Sequence, residues 1–352
     1  MAETATTSDL PNGELCKKLV QEISKRGGDV PERYIYKDGF PEAIDAPDEL
    51  WRDTLLIDFS LLSSFDEYEL AKLKSALSNW GCFQVINHGM DMRLLEELIE
   101  VGKQFFALPL KEKLKWSTKD EQLMQGYGSD SGLAGEQILC WHDRLFLTLY
   151  PEESRMPQFW PHEPYKFRET LEEYAKRLPV MIETVYKAMA RSLDLEDQDS
   201  FLNQIGRKNG SLTARFIMYP RCPCPERVLG VKPHSDSADM AVLLAEPEVE
   251  GLQIHKDGQW FKVPVIPGAL FVNLGELTEI MSNGAFKAAV HRVVTNSAKD
   301  RVSVAAFNSH GSNNEIRPIS ELVRSDEPQM YKKFNNKDEY WQEYCQKLRA
   351  MS

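Results

Sequence analysis

The stretch VHRVVTNSAKDRVSVAAFNS at residues 290–309 contains two runs rich in β-branched side chains, separated by a short polar segment. Such runs favour β-strands, and in a strand every second side chain points to the same face. The first strand would carry His291 near its start, and the second would send Arg301, Ser303 and Phe307 together into the cavity that it lines. A planar guanidinium and a hydroxyl on one face can hold a carboxylate between them.

A second polar motif, His234-Ser235-Asp236, precedes this stretch. On an extended chain the His234 and Asp236 side chains point to the same side. Together with His291 they would offer a metal two imidazoles and one carboxylate, leaving three coordination positions open. This is the ligand set of oxygen-activating non-haem iron(II) enzymes. A dicarboxylic acid held at one end by the guanidinium could chelate such an iron through a keto acid at its other end.

The chain resembles plant iron(II)- and 2-oxoglutarate-dependent dioxygenases over nearly all of its length. The resemblance rests on blocks at the intervals typical of that family: WGCFQVINHG at 80–89, YPRCP at 219–223, GLQ at 251–253, SNG at 282–284 and HRVV at 291–294. Within the family, the chain resembles specialised-metabolism oxygenases of the anthocyanidin synthase-like and senescence-related oxygenase-like kinds.

The resemblance implies a set of cofactors and a reaction. It assigns iron(II) to the three metal ligands above and the far carboxylate of 2-oxoglutarate to Arg301 and Ser303, with Tyr219 near its metal-side end. It implies O2 as the other cosubstrate and ascorbate as a stimulant. 2-Oxoglutarate would be decarboxylated to succinate and CO2, while a small specialised metabolite undergoes hydroxylation, O- or N-demethylation, or desaturation.

Two positions near the site depart from the family pattern. Ile217 stands where relatives commonly carry Asn, which removes one amide contact near the cosubstrate, and Arg215 on the same face could replace part of that polarity. Asp239 stands where relatives usually carry a small or apolar residue. It is interpreted either as a solvent-facing loop carboxylate or as a counter-charge for a basic substrate nitrogen, since an unpaired buried carboxylate would be costly.

Several side chains are candidate substrate contacts, with a packing role equally open for each: Phe307, Ser235, Asp239, Met218 and Tyr127. The aromatic and apolar character of this set favours an alkaloid, a flavonoid or a terpenoid over a sugar or a peptide. The second interpretation of Asp239 would favour an amine. We expect His88 to bond backbone groups near a turn, and His142 and His310 to lie at the surface or in loops.

Composition excludes several other classes of function. The 352 residues carry a formal charge of −12 and a sequence pI near 5.2, which argues against a nucleic-acid or anionic-membrane surface. Neither a secretory signal nor a membrane-length apolar run is recognisable. The six cysteines are scattered rather than arranged as a disulfide framework, which suits a reducing cytoplasm. A small-molecule substrate is the only binding partner that the sequence suggests.

The pattern of elements predicts an α+β fold with a double-stranded β-helix core, a jelly roll of the cupin-like kind, flanked by helices. The predicted regions are an extension at 1–50, a mainly helical region at 51–205, the jelly-roll core at 206–312 and a helical tail at 313–352. The predicted strands are 212–219, 240–246, 251–255, 259–265, 268–274, 287–295 and 301–309. Hairpin turns are expected at 256–258 and 282–284, and Pro179 should bend or split a long helix at 165–193.

Two other functions remain open at this point. The first is an oxidase on the same scaffold that does not use 2-oxoglutarate, because the carboxylate gripped by Arg301 and Ser303 could belong to another acid. The second is a catalytically inactive protein that binds a small molecule, for which the Ile217 departure leaves room. Release of succinate would separate the dioxygenase from both.

Overall fold

The computed structural model describes residues 19–118, 120, 123–130, 138–206 and 210–351. The α-helices are α1 (Val20–Arg26), α2 (Asp48–Leu50), α3 (Phe59–Ser63), α4 (Glu67–Asn79), α5 (Met92–Ala107), α6 (Leu110–Lys113), α7 (Phe167–Ser192), α8 (Ser200–Ile205), α9 (Glu276–Met281) and α10 (Lys337–Met351). The strands are β1 (Ala43–Asp45), β2 (Leu56–Asp58), β3 (Cys82–Ile86), β4 (Gly126–Gly128), β5 (Asp143–Tyr150), β6 (Ser211–Tyr219), β7 (Leu229–His234), β8 (Met240–Ala245), β9 (Leu252–Lys256), β10 (Gln259–Lys262), β11 (Leu270–Leu274), β12 (His291–Val294) and β13 (Arg301–Ser309).

These strands form two sheets. One has the order β1-β10-β9-β12-β7, and the other has the order β2-β3-β11-β8-β13-β6-β5-β4. From β7 to β13 the chain passes repeatedly from one sheet to the other. This alternation is the double-stranded β-helix, and with the flanking helices it confirms the predicted α+β class.

Strand β7, which ends at His234, was missed by the sequence analysis. Its residues include Gly230 and Pro233, and both residue types are depleted in strands. The strand nevertheless forms because it lies at the edge of its sheet, where a missing backbone donor is tolerated. Its partner β12 was predicted.

One expectation about a turn was wrong, and one about a helix was wrong in part. Helix α7 runs unbroken through the exposed Pro179, so the predicted split does not occur, and the predicted bend stays a prediction. The SNG segment is the end of α9 rather than a hairpin, with Asn283 and Gly284 at positive φ. The 256–258 turn does join β9 to β10 as a hairpin, with Asp257 and Gly258 at positive φ.

Helix α5 covers one face of the eight-stranded sheet. A Cβ added at Gly102 of this helix would lie 3.0 Å from Phe216 and 3.4 Å from Val302, so the missing side chain lets helix and sheet approach closely. Phe216 and Val302 therefore mark the helix-facing side of β6 and β13. The alternate residues of these strands face inwards, towards the second sheet.

The segment before β1 is held by a buried carboxylate. Asp143, the first residue of β5, accepts hydrogen bonds from the backbone N–H groups of Val20 and Gln21 at 2.7 and 2.9 Å. Further along, the Tyr34 ring lies 5.1 Å from that of Trp141 in an edge-on contact. The predicted extension thus packs on the body over its described part. Among the described residues, none of the helices combines the length and the apolarity needed to span a bilayer.

Candidate metal and cosubstrate site

Three side chains with metal-ligating atoms converge between the ends of β7 and β12. His234 and His291 are direct partners in the ladder of these strands, and their ring centroids lie 4.3 Å apart. The Asp236 Oδ1 atom lies 3.5 Å from His234 Nε2 and 4.0 Å from His291 Nε2. One ligand atom from each of the three lies within 4.8 Å of the others, as a single bound metal ion requires.

Neighbouring groups orient each of these side chains. His234 Nδ1 lies 2.8 Å from the Lys232 carbonyl oxygen, and His291 Nδ1 lies 3.0 Å from the Ala289 carbonyl oxygen. A proton on each Nδ1 can donate to that carbonyl, which leaves both Nε2 lone pairs for a metal. Asn273 on β11 donates from Nδ2 to Asp236 Oδ2 at 2.7 Å, so Oδ1 is the oxygen left to face the imidazoles.

The electrostatics hold Asp236 and His291 in the protonation states that metal binding needs. Burial alone would raise the pKa of Asp236, but the nearby His291 and His234 and the Asn273 hydrogen bond outweigh it and hold that pKa well below its usual range. Burial and the charge of His234 lower the pKa of His291. The site therefore offers a carboxylate and neutral imidazole at neutral pH.

A second group of polar side chains lies on the inward face of β13 and β6. Arg301 and Ser303 are buried, and the Arg301 guanidinium lies 5.2 Å from the ring centroid of Tyr219, its ladder partner. Arg301 Nε donates to the Val249 carbonyl at 3.1 Å. Within the described ranges, Arg301 Nη1 and Ser303 Oγ are buried without a hydrogen-bond partner. Two adjacent orphaned donors, one of them cationic, fit a bound carboxylate.

The strand register places the other predicted side chains. Ser303 is the ladder partner of Ile217, and Phe307 shares the inward face of β13 with Arg301 and Ser303. Arg215 is on the inward face of β6, two residues before Ile217, but its guanidinium makes an ion pair with Asp130. The apolar Ile217 side chain thus lies beside the orphaned hydroxyl.

Met218 and Tyr127, two of the proposed substrate contacts, point the other way. Met218 pairs with Val302 and shares its helix-facing side. The Tyr127 ring lies 5.8 Å from the ring of Phe105 and 5.3 Å from Lys113 Nζ, within the core. The expectation was wrong for both because alternation places neighbouring residues of a strand on opposite faces.

Ser235 and Asp239 are also directed away from the iron ligands. The Ser235 hydroxyl donates to the Glu276 carboxylate. Asp239 is completely buried, and its Oδ1 lies 2.5 Å from Nδ1 of His310, which is equally buried. The solvent-facing interpretation of Asp239 was therefore wrong, and its interpretation as a counter-charge stays a prediction. His310 lies in a loop, as one of its two expected placements required, but it is buried there. The contact pairs Asp239 Oδ1 with His310 Nδ1, whereas Asp239 Oδ2 and His310 Nε2 are buried without a hydrogen-bond partner among the described residues.

Several residues of the site were not found by sequence reasoning. Asn273 lies in an apolar strand with no metal-ligand spacing, and Asp130 and Arg144 lie in a region that carries no motif. His142, expected at the surface or in a loop, lies in the loop before β5 but is buried, with Nδ1 at 2.7 Å from the Gly230 carbonyl oxygen. His88 was predicted correctly: its Nε2 lies 2.8 Å from the Gly268 carbonyl oxygen and its Nδ1 accepts from the Met90 N–H.

Two family descriptions match the chain. The N-terminal domain of the non-haem dioxygenase in morphine synthesis matches residues 56–163, and the 2OG-Fe(II) oxygenase superfamily matches residues 208–310. Protein SRG1 of Arabidopsis thaliana is 36% identical over 88% of this chain and 86% of its own length. Codeine O-demethylase of Papaver somniferum is 35% identical over 99% of this chain and 98% of its own length.

A solved structure shows the same likeness in three dimensions. The crystal structure of JOX2 in complex with 2OG, Fe and JA superposes with a TM-score of 0.83 at 33% identity, covering 92% of each chain. The chain belongs to the family of iron(II)- and 2-oxoglutarate-dependent dioxygenases. It is an enzyme that uses iron(II), 2-oxoglutarate and O2, and the two alternative functions are not favoured.

Proposed function

We propose that this dioxygenase oxidises a small specialised metabolite by hydroxylation, by O- or N-demethylation, or by desaturation. The observation that carries the proposal is the pair of orphaned donors, Arg301 Nη1 and Ser303 Oγ, on the strand face that Phe307 shares. Support for the substrate class comes from relatives named codeine O-demethylase and flavonol synthase/flavanone 3-hydroxylase, whose names denote reactions of small molecules.

In this proposal two sets of residues bind iron(II) and 2-oxoglutarate. His234, Asp236 and His291 hold iron(II), while Arg301 and Ser303 hold the far carboxylate of 2-oxoglutarate. When bound, iron and 2-oxoglutarate supply the oxidising chemistry. The chain supplies binding, orientation and exclusion of water.

Other parts of the proposal concern the neighbourhood of this site and the whole chain. Tyr219, which stacks on Arg301, lies near the metal-side end of the cosubstrate, and Phe307 forms part of the substrate wall.

We place the enzyme in the cytoplasm, because its scattered cysteines and its iron(II) suit a reducing compartment. It acts without an obligate protein partner. The four regions, 1–50, 51–205, 206–312 and 313–352, are an extension, a helical region, the catalytic core and a closing tail.

The test is succinate release by the purified chain with iron(II), ascorbate and 2-oxoglutarate, screened against pools of alkaloids, flavonoids and terpenoids. A stimulating pool is resolved by mass spectrometry: a product heavier by one oxygen atom shows hydroxylation, one lighter by a CH2 group shows demethylation, and one lighter by two hydrogens shows desaturation. The Asp236→Ala variant is the matched control and should release no succinate. A wild-type chain that binds iron but not 2-oxoglutarate would overturn the proposal.

A further inference from the structure

Asp130, just beyond the end of β4, is surrounded by three basic side chains. Its Oδ1 accepts a hydrogen bond from Arg144 Nε at 2.5 Å. Its Oδ2 lies 3.0 Å from His142 Nε2 and also contacts Arg215 Nη2 in an ion pair. The carboxylate of Asp130 thus contacts two guanidinium groups and one imidazole.

This basic cluster, defined by Asp130, His142, Arg144 and Arg215, lies near the iron ligands, since the charge of Asp236 acts on Arg215. Arg144 and Ser303 are both ladder partners of Ile217, so the three side chains share the inward face of the sheet. The cluster also adjoins the cosubstrate end of the site, because the rings of His142 and Tyr219 lie 5.8 Å apart.

The charges of the cluster do not balance. Among the side chains that the structure describes, two guanidinium groups face one carboxylate, which leaves a surplus of one positive charge even with a neutral imidazole. Arg144 is buried, and its Nη1 also donates to the Gly126 carbonyl at 3.1 Å. Arg215 is the more accessible cation: its side chain is 21% exposed, while its Nε is buried with no partner among the described residues. A surplus charge in a buried cavity is costly unless a ligand offsets it.

Iron and 2-oxoglutarate do not offset this surplus. The ion carries two positive charges and Arg301 carries one. Asp236 contributes one negative charge and 2-oxoglutarate two. The iron and cosubstrate site therefore has no net charge when both are bound. They do not neutralise the positive charge of Arg215, so an anionic substrate can do so.

We propose that Arg215 determines specificity by binding an anionic group, a carboxylate, on the substrate at a distance from the carbon that is oxidised. The inference rests on the proposed function and narrows its substrate class. A cationic amine is disfavoured there, since it would face the surplus positive charge, and Asp239, whose Oδ1 pairs with the buried His310, is not part of this cluster. His142 and Arg144 act as positioning residues that hold Asp130 against Arg215.

The experiment measures binding by calorimetry to the full chain loaded with iron(II) and 2-oxoglutarate under anaerobic conditions. The probes are aromatic and terpenoid monocarboxylic acids, each with its methyl ester and with the amine of the same skeleton. We expect at least one acid to bind about tenfold or more tightly than its ester, the ratio typical of one charge-assisted hydrogen bond, and the amine to bind most weakly. A panel in which no acid binds better than its ester overturns the inference.

Variants then assign the preference to Arg215. Arg215→Gln should abolish the difference between acid and ester while leaving the affinity for 2-oxoglutarate unchanged, and Arg215→Lys should keep part of it. Asp130→Asn, which removes the competing anion, should strengthen acid binding, whereas a purely structural role would weaken it. Arg221→Gln is the matched control, because Arg221 is an exposed arginine paired with Asp300.

The outcomes separate this inference from the proposed function. If Arg215→Gln weakens 2-oxoglutarate binding as much as acid binding, Arg215 serves the cosubstrate and the inference is overturned. If the wild-type chain binds 2-oxoglutarate but shows no preference for acids, only the substrate class fails. Should Arg215→Gln not fold by circular dichroism, the wild-type comparison and Arg215→Lys still decide the question.

Discussion

Asp236 and Asp239 are three residues apart, yet their carboxylates have different roles. Asp236 faces two imidazoles and is oriented by Asn273, whereas Asp239 is sealed in the core against His310. Both carboxylates are buried, and the partner of each determines its role. At the residue scale, function in this chain therefore depends on what a buried polar atom contacts rather than on residue type.

Asn273→Ala should weaken iron(II) binding by roughly 10- to 100-fold, the usual effect of removing a hydrogen bond to a metal ligand. The reason is that Asp236 Oδ2 loses the hydrogen bond from Asn273 and the carboxylate is then free to rotate. Anaerobic titration with iron(II) measures the effect. The control is Gln84→Ala, a buried amide that donates to the Pro264 carbonyl and touches no ligand. Equal affinities for both variants would contradict the role of Asn273.

Arg301→Ala should weaken 2-oxoglutarate binding by about 10- to 100-fold, because a charge-assisted hydrogen bond is worth ~1.5–3 kcal/mol. Ser303→Ala removes only a neutral donor and should cost less. Calorimetric titration with 2-oxoglutarate gives the affinities, and steady-state kinetics gives the substrate KM. If the substrate KM rises by as much as the affinity for 2-oxoglutarate falls, Arg301 does not act specifically on the cosubstrate and the prediction is contradicted.

At the element scale, the iron ligands depend on how the loop after β7 is held against the start of α9. Gly275 N–H donates to the Asp239 carbonyl at 3.0 Å, and Glu276 N–H donates to the Asp236 carbonyl at 2.8 Å. A Cβ added at Gly275 would lie 2.7 Å from the Asp236 carbonyl oxygen and nearer still to that of Ala238. The helix start and the loop therefore fit only with glycine between them.

Gly275→Ala should consequently weaken iron(II) binding, by about tenfold or more, although it replaces no ligand. The added methyl group pushes the loop and displaces Asp236 from the two imidazoles. Anaerobic iron titration of the purified variant measures the change. Gly128→Ala is the control, since a Cβ there meets nothing within 4 Å. Unchanged iron affinity in Gly275→Ala would show that the loop tolerates the displacement.

At the scale of the whole molecule, the N-terminal segment is joined to the strand that carries the basic cluster. Asp143, the first residue of β5, accepts hydrogen bonds from Val20 and Gln21, and its chain neighbours His142 and Arg144 both belong to the cluster. Burial raises the pKa of Asp143 to about 6, against hydrogen bonds from Gln21 and Val20 that lower it. The folded protein therefore holds this proton more tightly than the unfolded chain does.

The free energy of unfolding should depend on pH through Asp143. Its contribution is fully present below the pKa of the unfolded chain, ~4, and is lost as pH rises through about 6. Wild-type stability should therefore fall relative to Asp143→Asn between about pH 4 and pH 7, as measured by urea unfolding. The exposed Asp257→Asn is the control and should follow the wild type. A difference between wild type and Asp143→Asn that stays constant with pH would contradict this prediction.

The sequence by itself determined the chemistry of the metal and cosubstrate sites and the class of fold. His234, Asp236, His291, Arg301 and Ser303 could be selected because their spacing matches the alternation of a strand, which is a local property. Most strands of the core and the hairpin at 256–258 followed from equally local signals. The roles of these residues remain predictions for the iron and 2-oxoglutarate titrations.

Only the tertiary structure decided which face of each strand is inside and which distant groups meet there. Alternation shows that Met218 and Tyr219 face opposite ways, but the packing of α5 determines which of them faces the cavity. His142 and Gly230 are 88 residues apart, and His310 and Asp239 are 71 apart. Such contacts between distant residues arise when the strands pair, and no local sequence pattern encodes them. The surplus charge at Arg215 likewise depends on which side chains the paired strands bring together.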